Sequence, residues 1–429
     1  MGQVRVKSIS SDDLMKRIGS ENTKVIDIRP VEAYNGWALE NEKRGGHIKS
    51  AKSLPFKWSK YIDWIEIVRS KNIKPEDTLI IYGYDTDSIM KIAEQFYKTG
   101  FNNVLVYKGY KNEWSVNDKY PMEKMERYTQ LVSPKWLKGL LENGTASNYD
   151  NNKFVICHAH YQNKKAYDDG HIPGAISVDT NSLENPETWN RRSPEELKLA
   201  LENYGITHGT TVILYGRFSY PNNNDPFPGS SAGHLGAMRC AFIMLYAGVK
   251  DVRLLNGGLQ SWLDEGYNIS TEETIPKAAK EFGVTIPLNP YFAVDLEEAQ
   301  KILKDKNRNL VCVRSRDEFI GKVSGYNYIE KKGRIPGAVF ADCGSDAYHM
   351  ENYRNLDHTA KEYHEIEKQW AEAGITRNKF NAFYCGTGWR GSEAFFNAWL
   401  LGWPKIAVYD GGWFEWSNNN LPFETGEPE

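Results

Sequence analysis

The sequence predicts an α/β protein made of three tandem copies of one unit, each a mostly parallel sheet flanked by helices. Two observations carry that prediction. Strand-like and helix-like runs alternate along the chain, and two short markers recur in the same order at a period of roughly 140 residues. The first marker reads His47-Ile48-Lys49-Ser50-Ala51, then His171-Ile172-Pro173-Gly174-Ala175, then Arg334-Ile335-Pro336-Gly337-Ala338. The second reads Val106-Tyr107-Lys108-Gly109-Tyr110 with Trp114, Leu255-Asn256-Gly257-Gly258-Leu259 with Trp262, and Tyr409-Asp410-Gly411-Gly412-Trp413 with Trp416.

Between the markers each copy carries a β-rich run, a helical pattern and a second β-rich run. In the first these are residues 78–81, 89–98 and 104–106; in the second 211–214, 237–246 and 252–255; in the third 381–384, 392–401 and 406–409. The first of the two strands ends each time on a Tyr followed by one slot residue: Gly83, Gly216 and Cys385. In a parallel sheet that slot lies at the C-terminal edge, where such folds bind ligands. From the slot to the glycine closing the helix is 17 residues in copies one and three (83 to 100, 385 to 402) and 32 in copy two (216 to 248). The surplus, 217–231, is rich in Asn, Pro and Ser and reads as a long surface loop. Periodicity is lost near 125–128 and 275–291, which gives domains 1–126, 127–278 and 285–429.

Composition bounds the function. With 429 residues, 40% hydrophobic, 25% charged and a formal charge of -3, the chain is an ordinary globular one of about three domains. No Lys/Arg block marks a nucleic-acid partner. The longest apolar stretch, 240–249, is too short to cross a bilayer, and residues 1–11 lack the apolar core of a signal peptide. The expectation is a soluble cytoplasmic protein, or a periplasmic one if a signal peptide has been removed. Five cysteines without paired spacing fit a reducing compartment.

The chemistry is expected at Cys385-Gly386-Thr387-Gly388-Trp389-Arg390. A thiol between a strand end and a helix N-terminus faces free backbone N–H groups and the positive end of a dipole, both favouring thiolate. A free thiol titrates near roughly 8.5. The helix end contributes about 1 kcal/mol, and Arg390 folded back to about 5 Å adds on the order of 3 kcal/mol at an effective dielectric of about 20. Together these are expected to bring Cys385 near or below neutrality; the bland alternative is a small buried hydrophobe. Cys157-His158-Ala159-His160 with His171 offers no metal-site spacing, since Cys157 and His158 point to opposite faces of a strand, so neither metal nor cofactor is expected. Cys343, 42 residues before Cys385, reads as structural rather than as a resolving thiol.

As a set, the Asp-x-Arg-like strand end, the Ile-Pro-Gly-Ala turn, the six-residue Cys loop and the Gly-Gly turn before Trp resemble the rhodanese (sulfurtransferase) family. The likeness spans nearly the whole chain and is nearest the three-domain thiosulfate sulfurtransferase type, whose last domain alone keeps the cysteine. It implies three tandem rhodanese-like domains and a Cys385 persulfide that takes a sulfane sulfur from a small donor and gives it to a thiol or cyanide. Glycine at 83 and 216, with Ser88 in place of Arg390, implies silent domains serving as scaffold or access, the second bordering Cys385 through 217–231. Arg314 falls at the Asp-x-Arg arginine, with Cys312 for the Asp, and implies an anion site; Arg334, in place of the usual His, is a second candidate cation. For both the alternative is a salt bridge. Asp410 is expected to cap a turn.

Cys-x4-Arg is one residue tighter than the phosphatase loop Cys-x5-Arg, which favours sulfur over phosphoryl transfer or arsenate reduction. Cys-Gly-Thr-Gly resembles mercaptopyruvate sulfurtransferases, but Trp389-Arg390 replaces their Val-Thr. The expected donor is thiosulfate or a protein persulfide, with Trp389 narrowing the mouth or facing a partner. The alternative class is a persulfide carrier loaded by a cysteine desulfurase.

Overall fold

The structure, a computed structural model, describes residues 6–218 and 233–428; most of the predicted loop 217–231 lies outside them. Three five-stranded sheets, all parallel, share one strand order. From one edge the first runs Lys7–Ser8, Val104–Tyr107, Thr78–Tyr82, Thr23–Asp27, Lys52–Ser53. The second runs Leu131–Val132, Asp251–Leu255, Thr211–Tyr215, Phe154–His160, Ile176–Asp179. The third runs Ala293–Val294, Ile406–Tyr409, Phe380–Tyr384, Arg308–Cys312, Val339–Phe340. The predicted repeat is thus a repeat of topology. Central strands are covered on both faces, which is why Thr211–Tyr215 is apolar without alternation and wholly buried.

Registers make the slots equivalent: Asp27, His158 and Cys312 stand opposite Tyr82, Tyr215 and Tyr384, the residues preceding Gly83, Gly216 and Cys385. Helices follow each slot at Thr86–Lys98, Gly233–Ala247 and Trp389–Leu400. The third starts three residues earlier than its periodicity predicts. Gly388, at φ 86°, makes the left-handed turn that lets Trp389 open the helix, so only 386–388 separate the cysteine from it.

The chain divides into two compact units, Met1–Thr129 and Gln130–Glu429. The first holds the first sheet around a core that includes Trp58, Trp64 and Phe96. The second holds the other two sheets, packed through Gly233–Ala247 against Trp389–Leu400, with Phe242 and Phe395 at 5.3 Å edge to face. A helix covered by its own sheet on one side and a second helix on the other must be apolar all round. That accounts for the long apolar run 240–249, whose helix is buried from His234 to Ala247. Among the described residues no helix is long and apolar enough to cross a membrane.

Candidate active site

Cys385 is buried at the C-terminal end of the central strand Phe380–Tyr384. The carbonyls around it are already taken: Trp413 N–H donates to Cys385 O (2.8 Å), Phe414 N–H to Gly386 O (2.9 Å) and Ser392 N–H to Gly388 O (2.8 Å). The N–H groups of residues 386–391 donate to no acceptor among the described residues. Carbonyls tied down on one side leave the amides of the same turn as donors for an anion. A Cβ at 386 would displace the Tyr326 ring, and glycine is required at 388, where a Cβ would meet Asp410 O at 2.8 Å and Arg239 Nη1 at 3.0 Å.

The cations are placed differently from expectation. Arg390 is fully buried and gives its two Nη atoms to Glu318 (both 2.8 Å), with further bonds to Tyr326 Oη (2.6 Å) and Cys343 Sγ (3.2 Å). Burial raises Glu318, but Arg390 outweighs it and holds the carboxyl below the usual range, so the two form a matched pair. Arg390 is therefore not the free cation expected beside the thiol; it anchors the loop from below.

Arg314, the candidate anion site, is buried rather than at the surface. Its Nε donates to Cys312 Sγ (3.2 Å) and its Nη2 to Gly333 O (2.6 Å), under the Trp413 ring at 5.1 Å. Arg29 in the first copy does the same with Asp27 (2.9 and 2.6 Å) and Gly46 O (2.7 Å). In the second copy Arg217, directly after the slot, reaches Gly170 O (2.7 Å). An arginine pins a glycine turn in all three copies, so Arg314 has a structural duty, while its Nη1 has no partner among the described residues. Arg334 takes the salt-bridge alternative: it pairs with Glu424 (3.1 Å) and donates to Gly426 O (2.6 Å), fastening the C-terminal segment.

Trp389 donates its Nε1 to both carboxylate oxygens of Glu184 (2.9 and 3.0 Å), from the second copy. Glu184 is fully buried, accepts from Arg239 Nε (2.8 Å), and is raised by burial against the pull of that arginine. Arg239 also donates to Trp189 O (2.7 Å) and to Asp410 (3.4 Å). Asp410, expected to cap a turn, is instead a buried tie between copies, accepting from Arg191 N–H (2.7 Å) and Arg191 Nη1 (2.9 Å). Second-copy residues do border the cysteine loop, through Glu184 and Arg239; the expected contact through 217–231 falls mostly outside the described residues. Glu184 and Arg239 lie far upstream of Cys385 in sequence, and no local pattern marks them.

Sequence reasoning also missed the rings around the thiol. Tyr326 lies on Gly386. Burial pushes its hydroxyl well above the phenol range despite Arg390, so it stays protonated. Tyr328 is raised by burial, with Thr387 nearby acting the other way. Cys343 is pushed up by burial to about 12, which keeps it a thiol at neutral pH, Arg390 notwithstanding. The silent slots are not vacant: a Cβ at Gly83 would meet Ile28 at 2.8 Å, and one at Gly216 would collide with the Gly233 backbone.

Comparison with known proteins agrees with this architecture. The Rhodanese-like domain model matches residues 10–117, 133–265 and 295–419. Thiosulfate sulfurtransferase YnjE of Escherichia coli K12 is 37% identical over 419 residues, 96% of this chain and 91% of that one. Sulfur carrier protein TtuD of Thermus thermophilus is 30% identical over 306 residues, 69% of this chain and 97% of that one. Among solved structures, wild-type EanB superposes with a TM-score of 0.96 at 57% identity, covering 99% of each chain. The anaerobic ergothioneine biosynthesis enzyme from Chlorobium limicola, in complex with its natural substrate trimethyl histidine, gives the same score and identity over 99% of this chain and 100% of that one. The chain belongs to the rhodanese family, in three tandem copies. Its chemistry is that of a sulfurtransferase.

Proposed function

We propose that this sulfurtransferase carries a sulfane sulfur on Cys385 and delivers it to the imidazole ring of trimethylated histidine, forming ergothioneine. The observation that carries this is the likeness to EanB, 57% identical across the chain and solved as a cysteine persulfide with ergothioneine. Its solved forms include changes at a tyrosine 59 residues before that cysteine, a threonine two after it, and two further cysteines 73 and 42 before it. Tyr326, Thr387, Cys312 and Cys343 stand at those offsets from Cys385 here.

The transfer balances without an outside oxidant. Cys385–S–SH and the ring C–H become Cys385–SH and a ring C–SH, drawn as its thione: the sulfane S–S bond and the C–H bond break, a C–S bond and a thiol S–H bond form. The ring carbon is oxidised by two electrons and the sulfane sulfur reduced by two. Free loop amides suit the terminal sulfur and the departing Cys385 thiolate. Tyr326, protonated and bonded by Arg390 at its oxygen, has its O–H free to face a ring nitrogen and move a proton there. Thiosulfate, a small persulfide or a cysteine desulfurase remains the source that loads Cys385.

The test is thione formation from trimethylhistidine by the persulfide-loaded protein, with Cys385→Ala beside it. The expected outcome is a product about 32 Da heavier than substrate, one sulfur atom, made by the wild type alone. Equal product from both proteins, or sulfur passing to cyanide while trimethylhistidine stays untouched, overturns the reading.

A further inference from the structure

We infer that the rings of Tyr161, Trp189, Tyr328 and Trp389 form a binding site for the acceptor's quaternary ammonium group. This rests on the acceptor proposed above and assigns the part of it that no sulfur chemistry touches. Trp189 lies between Tyr161 (5.7 Å, 25°) and Tyr328 (5.4 Å, 22°), and Trp389 stands edge-on to Tyr161 (5.7 Å, 80°) and Trp189 (6.5 Å, 78°). Rings meeting near right angles make the corner in which a methylated ammonium contacts several π faces. Tyr328 leaves 44% of its surface exposed, and Trp389 belongs to the cysteine loop itself, which puts the cluster beside Cys385.

Two features set this cluster apart from ordinary packing. Several rings elsewhere carry a lysine or arginine of the protein's own, as Tyr120 does Lys119 and Tyr167 does Lys164, whereas among the described residues none of these four does. Trp189 is also held at φ 62°, a costly conformation for a bulky residue, with Arg239 bonded to its carbonyl. Behind Trp389, the Glu184 carboxylate accepts the indole N–H from both oxygens, adding negative charge to that ring's face. Two of the rings come from the second copy, so a silent domain would select the acceptor.

Trimethylhistidine and histidine differ in three N-methyl groups and a fixed charge, so they isolate the contact. Rates of thione formation by the loaded full-length protein are measured against both. The wild type is expected to show a KM at least tenfold lower for trimethylhistidine. Trp189→Leu and, as the less buried alternative, Tyr161→Leu each raise that KM by about tenfold while the histidine KM moves less than twofold. A preference preserved in both folded variants overturns the site. Fluorescence titration of Cys385→Ser with tetramethylammonium against ammonium chloride tests the rings without turnover. Saturable binding of tetramethylammonium alone, weakened in the Trp189→Leu background, supports the site, and indistinguishable responses to the two salts overturn it. Saturable binding without any thione from trimethylhistidine counts for the rings and against the acceptor.

Discussion

Gly386 shows how little space the reaction leaves at a single residue. The Tyr326 ring lies where its Cβ would be, and the ring is the movable partner. Gly386→Ala is therefore expected to leave the melting temperature within about 2 °C while cutting thione formation at least tenfold, because Tyr326 is pushed off the cysteine; unchanged turnover would contradict its placement. Cys385 and its glycines were legible from sequence because a thiol, a tight turn and a helix start are local features. Arg390 was legible as a residue and misread as a charge. Its counterion Glu318 lies 72 positions upstream, on the turn capped by Ser315, and loop spacing carries no trace of it. The structural partners of Arg314, Cys312 and Gly333 O, become visible only once the turn folds back.

At the scale of elements, the order of strands in each sheet did not follow from periodicity, whereas the placement of strands and helices did, because parallel strands are short apolar runs and their helices amphipathic. The helix Gly233–Ala247 departs from that, being apolar on every side with His234 buried in it. Burial drives His234 and, on the strand Phe154–His160, His158 well below the ordinary histidine range, with nearby Arg354 and Arg217 acting the same way. A histidine lowered in the folded state stays neutral there while the unfolded chain takes up a proton below about 6.5, so stability is intact above that pH and falls beneath it. Each histidine is expected to contribute a slope of up to about 1.4 kcal/mol per pH unit. Melting curves from pH 8 to pH 5 should show the loss setting in near 6.5 and lessened in His234→Leu. A flat profile would contradict the burial of these rings.

On the scale of the whole molecule, the compact unit Gln130–Glu429 joins two copies of which one alone bears a nucleophile. The other supplies Glu184, Arg239 and Arg191, whose contacts reach Trp389 and Asp410 on either side of the cysteine loop. A linear reading, by resemblance, expects the second copy to border Cys385, but it cannot name the residues that make the contact. Glu184→Gln keeps the shape and removes the charge. It is expected to cost about 1.5–3 kcal/mol of stability and to raise the acceptor KM more than it lowers kcat, since Trp389 keeps one neutral acceptor in place of a carboxylate while Cys385 keeps its amides. A fall in kcat alone would place Glu184 in the chemistry instead.

The most direct test follows the sulfur atom itself. Protein loaded to one persulfide and freed of donor is mixed with trimethylhistidine, and the peptide bearing Cys385 is weighed over a single turnover. Loss of about 32 Da from that peptide, matched one for one by thione, is the predicted result. Thione appearing while the added mass stays on Cys385, or leaving from another cysteine, would contradict it.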